Sequence, residues 1–127
     1  MNGGDSMQWE FNSDRAIYAQ IIEQMKLFIV SGELEPGDKV PSVRELASEA
    51  GVNPNTMQKA LSELERSGLL FSNRTSGRFI TEDDTMIQNI KEELAKENIE
   101  NFLKNMKKIG FDKKQTAELI LNFEKRS

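Results

Sequence analysis

The chain has 127 residues, 37% hydrophobic and 30% charged, with a formal charge of −4, no histidine and no cysteine. That length fits one or two small domains, and the missing residue types exclude disulfides, most nucleophile–base pairs and the usual transition-metal sites. No run approaches the roughly 18 apolar residues that cross a membrane, and no basic-then-apolar start reads as a secretory signal, so a cytoplasmic protein without metal or cofactor is expected.

The acidic total argues mildly against nucleic acid as a partner, but distribution matters more. Asn53–Ile80 carries Lys59, Arg66, Arg74 and Arg78 against Glu63 and Glu65. Such a local basic surface is compatible with DNA, with weak non-specific affinity because few phosphates are neutralised.

Residues 1–7 are Gly-rich and polar, and are expected to be a disordered terminus or a cloning remnant. A first domain is assigned to residues 8–81. Gln8–Asn12 alternates, with Trp9 and Phe11 on one side, as in a short strand or an extended arm; Trp9 reads as a packing residue. A helix follows from about Ala16 to Ser31, because Ile17, Ile21, Met25 and Phe28 recur every three or four residues. Glu35-Pro36-Gly37-Asp38 is a turn. Pro41 keeps the chain extended before Ser42.

Ser42–Ser67 reads as two short helices around a tight turn. Ser42 with Glu45 forms a capping box, and Val43, Leu46, Ala47 and Ala50 make one apolar stripe. Gly51 supplies a left-handed stop, Val52 plugs the corner, Asn53 caps the second helix and Pro54 opens it. Met57, Ala60, Leu61 and Leu64 form its buried face, and Gly68 ends it. The arrangement is a helix-turn-helix. Asn53, Asn55, Thr56, Gln58, Lys59, Ser62 and Glu63 lie off the stripe. Polar residues on a helix are ordinarily a solvated face, but amides and hydroxyls at a helix start also suit base edges in a major groove.

Leu69-Leu70-Phe71 and Arg78-Phe79-Ile80 read as strands of a hairpin around Asn73–Gly77. Phe71 and Phe79 are expected to face the helices, and Arg74 and Arg78 to flank the tip. Residues 82–127 form a helical tail. An acidic start at Thr81–Asp84 suits a helix N-terminus, and a long helix is expected to Ile109. Ile87, Ile90 and Leu94 form one stripe, Ala95, Ile99, Phe102, Met106 and Ile109 another, with a kink or change of partner near Leu94. Asp112 and Gln115 cap a last helix carrying Ala117, Ile120, Leu121 and Phe123. Carboxylates such as Glu92, Glu93 and Glu97 alternate with lysine and read as solvated charge. Two helices enclose no metabolite-sized pocket. The tail is therefore read as a dimerisation device, with Ile87, Ile90, Leu94, Ile99, Phe102 and Met106 in the interface; a small-molecule effector between the tail and the DNA-binding domain is the lesser alternative and is not indicated.

The run GELEPGDKVPSVRELASEAGVNPNTMQKALSELERSGLL, Gly32 to Leu70, resembles the DNA-binding domain of the GntR family of bacterial transcription regulators. GVNPNT and AIYAQI resemble the YtrA-type subfamily with short C-terminal tails. The resemblance spans residues 9–80 and implies a mainly α fold, a winged helix-turn-helix followed by a two-helix dimerisation tail. It implies a dimeric repressor or activator that binds operator DNA, and no enzyme; the reading taken is a repressor binding a palindromic operator on double-stranded DNA as a homodimer. Carried over residue by residue, Ser42 touches phosphate and Arg44 holds phosphate or guanine. Asn53, Pro54, Asn55 and Thr56 sit at the reading end of the second helix, with Gln58 and Lys59 one turn further in. Arg74, Ser76 and Gly77 approach from the wing. The wing loop NRTSG has one glycine where relatives carry two in an RGKG-like pattern, so Arg74 is a weaker candidate than Arg44. Pro54 and Gln58 stand where larger relatives often have arginine, which leaves base preference open. The competing class is a winged helix used only for protein–protein contact, which should show apolar anchors on the second helix. A fusion to an aminotransferase-like domain is not expected in a chain ending at Ser127.

Overall fold

The computed structural model describes residues 7–124. The reading of residues 1–7 therefore lies outside it, Met7 excepted, which is half-buried against the core. The elements are α1 (Ile17–Val30), α2 (Val43–Ala50), α3 (Pro54–Arg66), β1 (Leu70–Asn73), β2 (Gly77–Ile80), α4 (Asp84–Lys108) and α5 (Lys113–Phe123). The chain divides into two compact units, the first reaching Lys91 and the second beginning at Glu92.

The first unit has one core. α1 contributes Ile21, Met25, Phe28 and Ile29; α2 contributes Leu46 and Ala47; α3 contributes Met57, Ala60, Leu61 and Leu64. Each set recurs at helical spacing, so each helix presents one stripe inward. The segment Gln8–Asn12 is an extended arm. Two glutamines one turn apart on α1 hold it: Gln24 Oε1 accepts from Glu10 N–H while Gln24 Nε2 donates to Glu10 O, and Gln20 Oε1 accepts from Asn12 N–H while Gln20 Nε2 donates to Asn12 O. These amides satisfy the arm's backbone as a neighbouring strand would. Trp9 stacks on Phe11 at 6.0 Å and meets Phe28 edge-on at 5.0 Å.

Local chemistry sets the helix-turn-helix. Both halves of the Ser42–Glu45 capping box form, at 3.1 and 3.0 Å. Gly51 takes φ 70°, which places the corner in the left-handed region. Asn53 Oδ1 accepts from Asn55 N–H at 2.7 Å, and Pro54 opens α3.

The hairpin differs from expectation in its facing. Leu70 pairs with Ile80 and Phe71 with Phe79. Leu70 and Ile80 point inward, whereas Phe71 is 42% exposed and stacks on Phe79 at 5.6 Å. Within β1 successive side chains alternate faces, so the register that sets buried Leu70 opposite Ile80 turns Phe71 outward. Residues 37–40 add a third edge: Val40 N–H donates to Arg78 O, Ile80 N–H to Asp38 O and Gly37 N–H to Ile80 O, all within 2.9 Å.

The first turns of α4 belong to the first unit. Ile87 and Ile90, expected in the dimer face, pack with Met86 against the first unit's core. In the second unit the Asp112–Gln115 capping box forms at 2.8 and 2.9 Å, and Thr116 is buried with its hydroxyl on Asp112 O. Ile99, Phe102, Ile109, Ile120, Leu121 and Phe123 are exposed in the single chain.

Candidate nucleic-acid interface

The start of α3 presents Asn53, Pro54, Asn55, Gln58 and Lys59 to solvent, with Thr56 half-buried. The Asn55 and Thr56 side chains hold no hydrogen bond among the described residues, while Gln58 donates to Ser62 Oγ at 3.1 Å. The Lys59 ammonium lies 5.5 Å from the Tyr18 ring centre, within cation–π range. Tyr18 was not singled out in the sequence; only the α1–α3 packing brings the two together.

Ser42 and Arg44 stand on the exposed start of α2. The Ser42 oxygen accepts from the Glu45 N–H as a cap. At the wing tip, Asn73 Oδ1 accepts from both the Thr75 N–H and the Thr75 hydroxyl at 3.1 Å, and Ser76 N–H donates to Asn73 O. This Asx-type turn shapes a loop that carries a single glycine, Gly77. Gly77 takes φ +104°, and a Cβ there would lie 3.4 Å from Lys39 Cε. A groove between α2 and the wing is lined by Lys39, Pro41, Ser42, Ser76, Gly77 and Arg78. It brings together the predicted Ser42, Ser76 and Gly77.

The arginines separate into two groups. Arg15 pairs with Glu23, Arg66 with Glu63 and Arg78 with Glu65. Arg44 and Arg74 hold no ion pair among the described residues. Arg78 flanks the tip opposite Arg74 as expected, and its guanidinium is drawn to Glu65 at 2.9 Å.

Two carboxyls are held below their usual range. For Glu65 the Arg78 guanidinium is the main cause and the Ser72 hydroxyl the second. For Glu45 it is the Ser42 N–H, then the Ser42 hydroxyl, with Lys39 adding to it. A depressed folded pKa stabilises the fold above the unfolded value near 4.3 and is lost as pH falls through the folded value. Lowering pH from about 6 to about 3 is therefore expected to lower the melting temperature, and less steeply in Glu65→Gln. Calorimetry across that range checks it; an equal slope in both proteins would refute the assignment.

Helix-turn-helix, wing and α1 together are what a family profile recognises: that of the bacterial regulatory proteins, gntR family, matches residues 17–80. The chain belongs to the gntR family. The HTH-type transcriptional repressor YtrA of Bacillus subtilis (strain 168) is 38% identical to this regulator over 115 residues, 90% of this chain and 88% of YtrA. A GntR family transcriptional regulator from Listeria monocytogenes superposes with a TM-score of 0.79 at 38% identity, covering 92% of this chain and 99% of that one. Both likenesses run on through the tail, which places the regulator with the YtrA-type members. The AraR DNA-binding domain in complex with operator ORX1 aligns at a TM-score of 0.50 and 32% identity, over 58% of this chain and 90% of that one. The protein is a gntR-type transcription regulator with a winged helix-turn-helix, and not an enzyme.

Proposed function

We propose that the regulator binds a palindromic operator as a homodimer and represses by occlusion, acting in the cytoplasm. The observation that carries this reading is the pair of unpaired arginines, Arg44 and Arg74, on either side of an α3 start made of amides and hydroxyls. Cations without carboxylate partners suit phosphate and guanine, and amides suit adenine edges. Asn53, Pro54, Asn55, Thr56, Gln58 and Lys59 enter the major groove, with Ser42 on phosphate and Ser76 and Gly77 beside the wing. The repressor named YtrA and the operator-bound AraR domain support the same class of partner. A protein-binding winged helix would need apolar anchors on the outer face of α3, which instead exposes Asn53, Asn55, Gln58 and Lys59.

Dimerisation falls to the tail. Leu94 and Met106 are half-buried, and Ile99 and Phe102 are 56% and 42% exposed with no cover in the single chain. A two-fold copy is the commonest cover for such a face.

Selection of bound fragments from random DNA, followed by Arg44→Ala, tests the reading. If Arg44 holds guanine, specific binding weakens by roughly 1–3 kcal/mol. If it holds phosphate, affinity falls about equally on all sequences and the salt slope drops by about one. Unchanged binding in a folded Arg44→Ala protein removes Arg44 from the site, and recovery of no preferred sequence overturns operator recognition.

A further inference from the structure

Arg78 follows the wing-tip Gly77 and borders two hollows. One is the groove beside Ser42 and Ser76 on the side assigned to DNA. The other lies behind the wing, lined by Ser62, Glu65, Arg66, Ser72 and Arg78. The guanidinium is committed to the second: Arg78 Nε donates to Glu65 Oε1 at 2.9 Å, while Ser72 Oγ donates to Glu65 Oε2 at 2.8 Å. Both Glu65 oxygens are therefore occupied, one from each wing strand. The pair is also more sheltered than its surface counterpart. The Arg78 and Glu65 side chains are 19% and 35% exposed, against 49% and 53% for Arg15 and Glu23. Shelter reduces solvent screening and makes this the better-held ion pair.

We propose that Glu65 is a specificity-determining positioning residue: it ties the wing to the last turn of α3 and keeps the Arg78 guanidinium off the DNA backbone. The inference rests on the operator reading and deepens it. A free arginine beside the wing tip would add a phosphate contact on every sequence, which raises non-specific binding without adding base recognition. Occupancy of an operator depends on the ratio of specific to non-specific affinity, because a genome offers a large excess of competing sites. Glu65 thus trades one electrostatic contact for a higher ratio. Arg44 and Arg74, the arginines without an ion pair among the described residues, remain available to the DNA.

The test uses the intact protein, an operator fragment selected by the wild type, and a non-operator duplex of equal length, across a salt series. Glu65→Gln is expected to steepen the salt dependence on the non-operator duplex by about one and to raise affinity for it several-fold, with a smaller change on the operator. The specificity ratio therefore falls. Adding Arg78→Gln to Glu65→Gln should return the non-operator slope to the wild-type value, which a general loss of negative charge would not do. Glu33→Gln removes an equal charge from an exposed carboxylate that holds no ion pair among the described residues, and should leave the slope unchanged. If Glu65→Gln lowers only the melting temperature, Glu65 is a structural brace and the proposal is overturned. An equal rise in Glu33→Gln overturns it as well. Should Glu65→Gln lose its cooperative melt, Ser72→Ala takes its place: a smaller rise in the same direction is expected, and no rise refutes the proposal. A wild type that binds neither duplex refutes the operator reading and this inference together; a wild type that binds with an unchanged Glu65→Gln slope refutes this inference alone.

Discussion

Truncation after Lys91 is expected to leave a folded, mostly monomeric domain with operator affinity lower by about 10²–10⁴-fold, the range in which linking two modules raises affinity. The cut lies where the first unit ends. It spares Met86, Ile87 and Ile90, which pack on the core. An earlier cut would strip those contacts and confuse unfolding with loss of the dimer. What is removed is the face containing Ile99, Phe102 and Ile109, the last 68% exposed. One winged helix buries only about 600–1,000 Å² of protein surface on DNA, and a net charge of −4 limits what electrostatics adds. Two copies on one DNA make the second contact intramolecular. Light scattering of the intact regulator at micromolar concentration should return twice the 14.5 kDa chain mass. A clean monomer mass sinks the dimer and the palindrome with it.

The second large effect separates packing from reading within α3. Leu61 is fully buried, and Leu61→Ala should cost roughly 2–5 kcal/mol of stability through lost transfer energy and a residual cavity. Asn55 is exposed, and Asn55→Ala should shift stability by less than about 0.5 kcal/mol while impairing operator binding. Its N–H is capped by Asn53, not by its own side chain, so truncation leaves the helix start intact. Denaturant melts and binding isotherms on both variants check the contrast. Destabilisation by Asn55→Ala as large as that by Leu61→Ala would mean the two faces of α3 are reversed.

Local chemistry alone determined the helix-turn-helix. A capping box, a left-handed glycine, an Asn cap followed by proline, and a single apolar stripe per helix act within a few residues of each other, so Ser42–Ser67 carries its own geometry. The same holds for the cap at Asp112 and Gln115. Where a distant segment settles which of several like residues is buried or paired, only the tertiary structure decided. Leu70 and Phe71 are equally apolar, and the sheet's register sent Leu70 inward and Phe71 out. The turn at residues 35–38 forms as its sequence predicts, but only the fold shows that residues 37–40 also pair with β2. Ile87 and Ile90 share a helix with Ile99 and Phe102, but only the first pair reaches the domain core. Arg74 and Arg78 are alike in sequence, four residues apart around one loop. Arg78 is withdrawn because Glu65, a turn beyond Leu61 on α3, stands within 2.9 Å. Helix periodicity and capping are short-range, whereas register, burial and ion pairing depend on which distant segment arrives opposite.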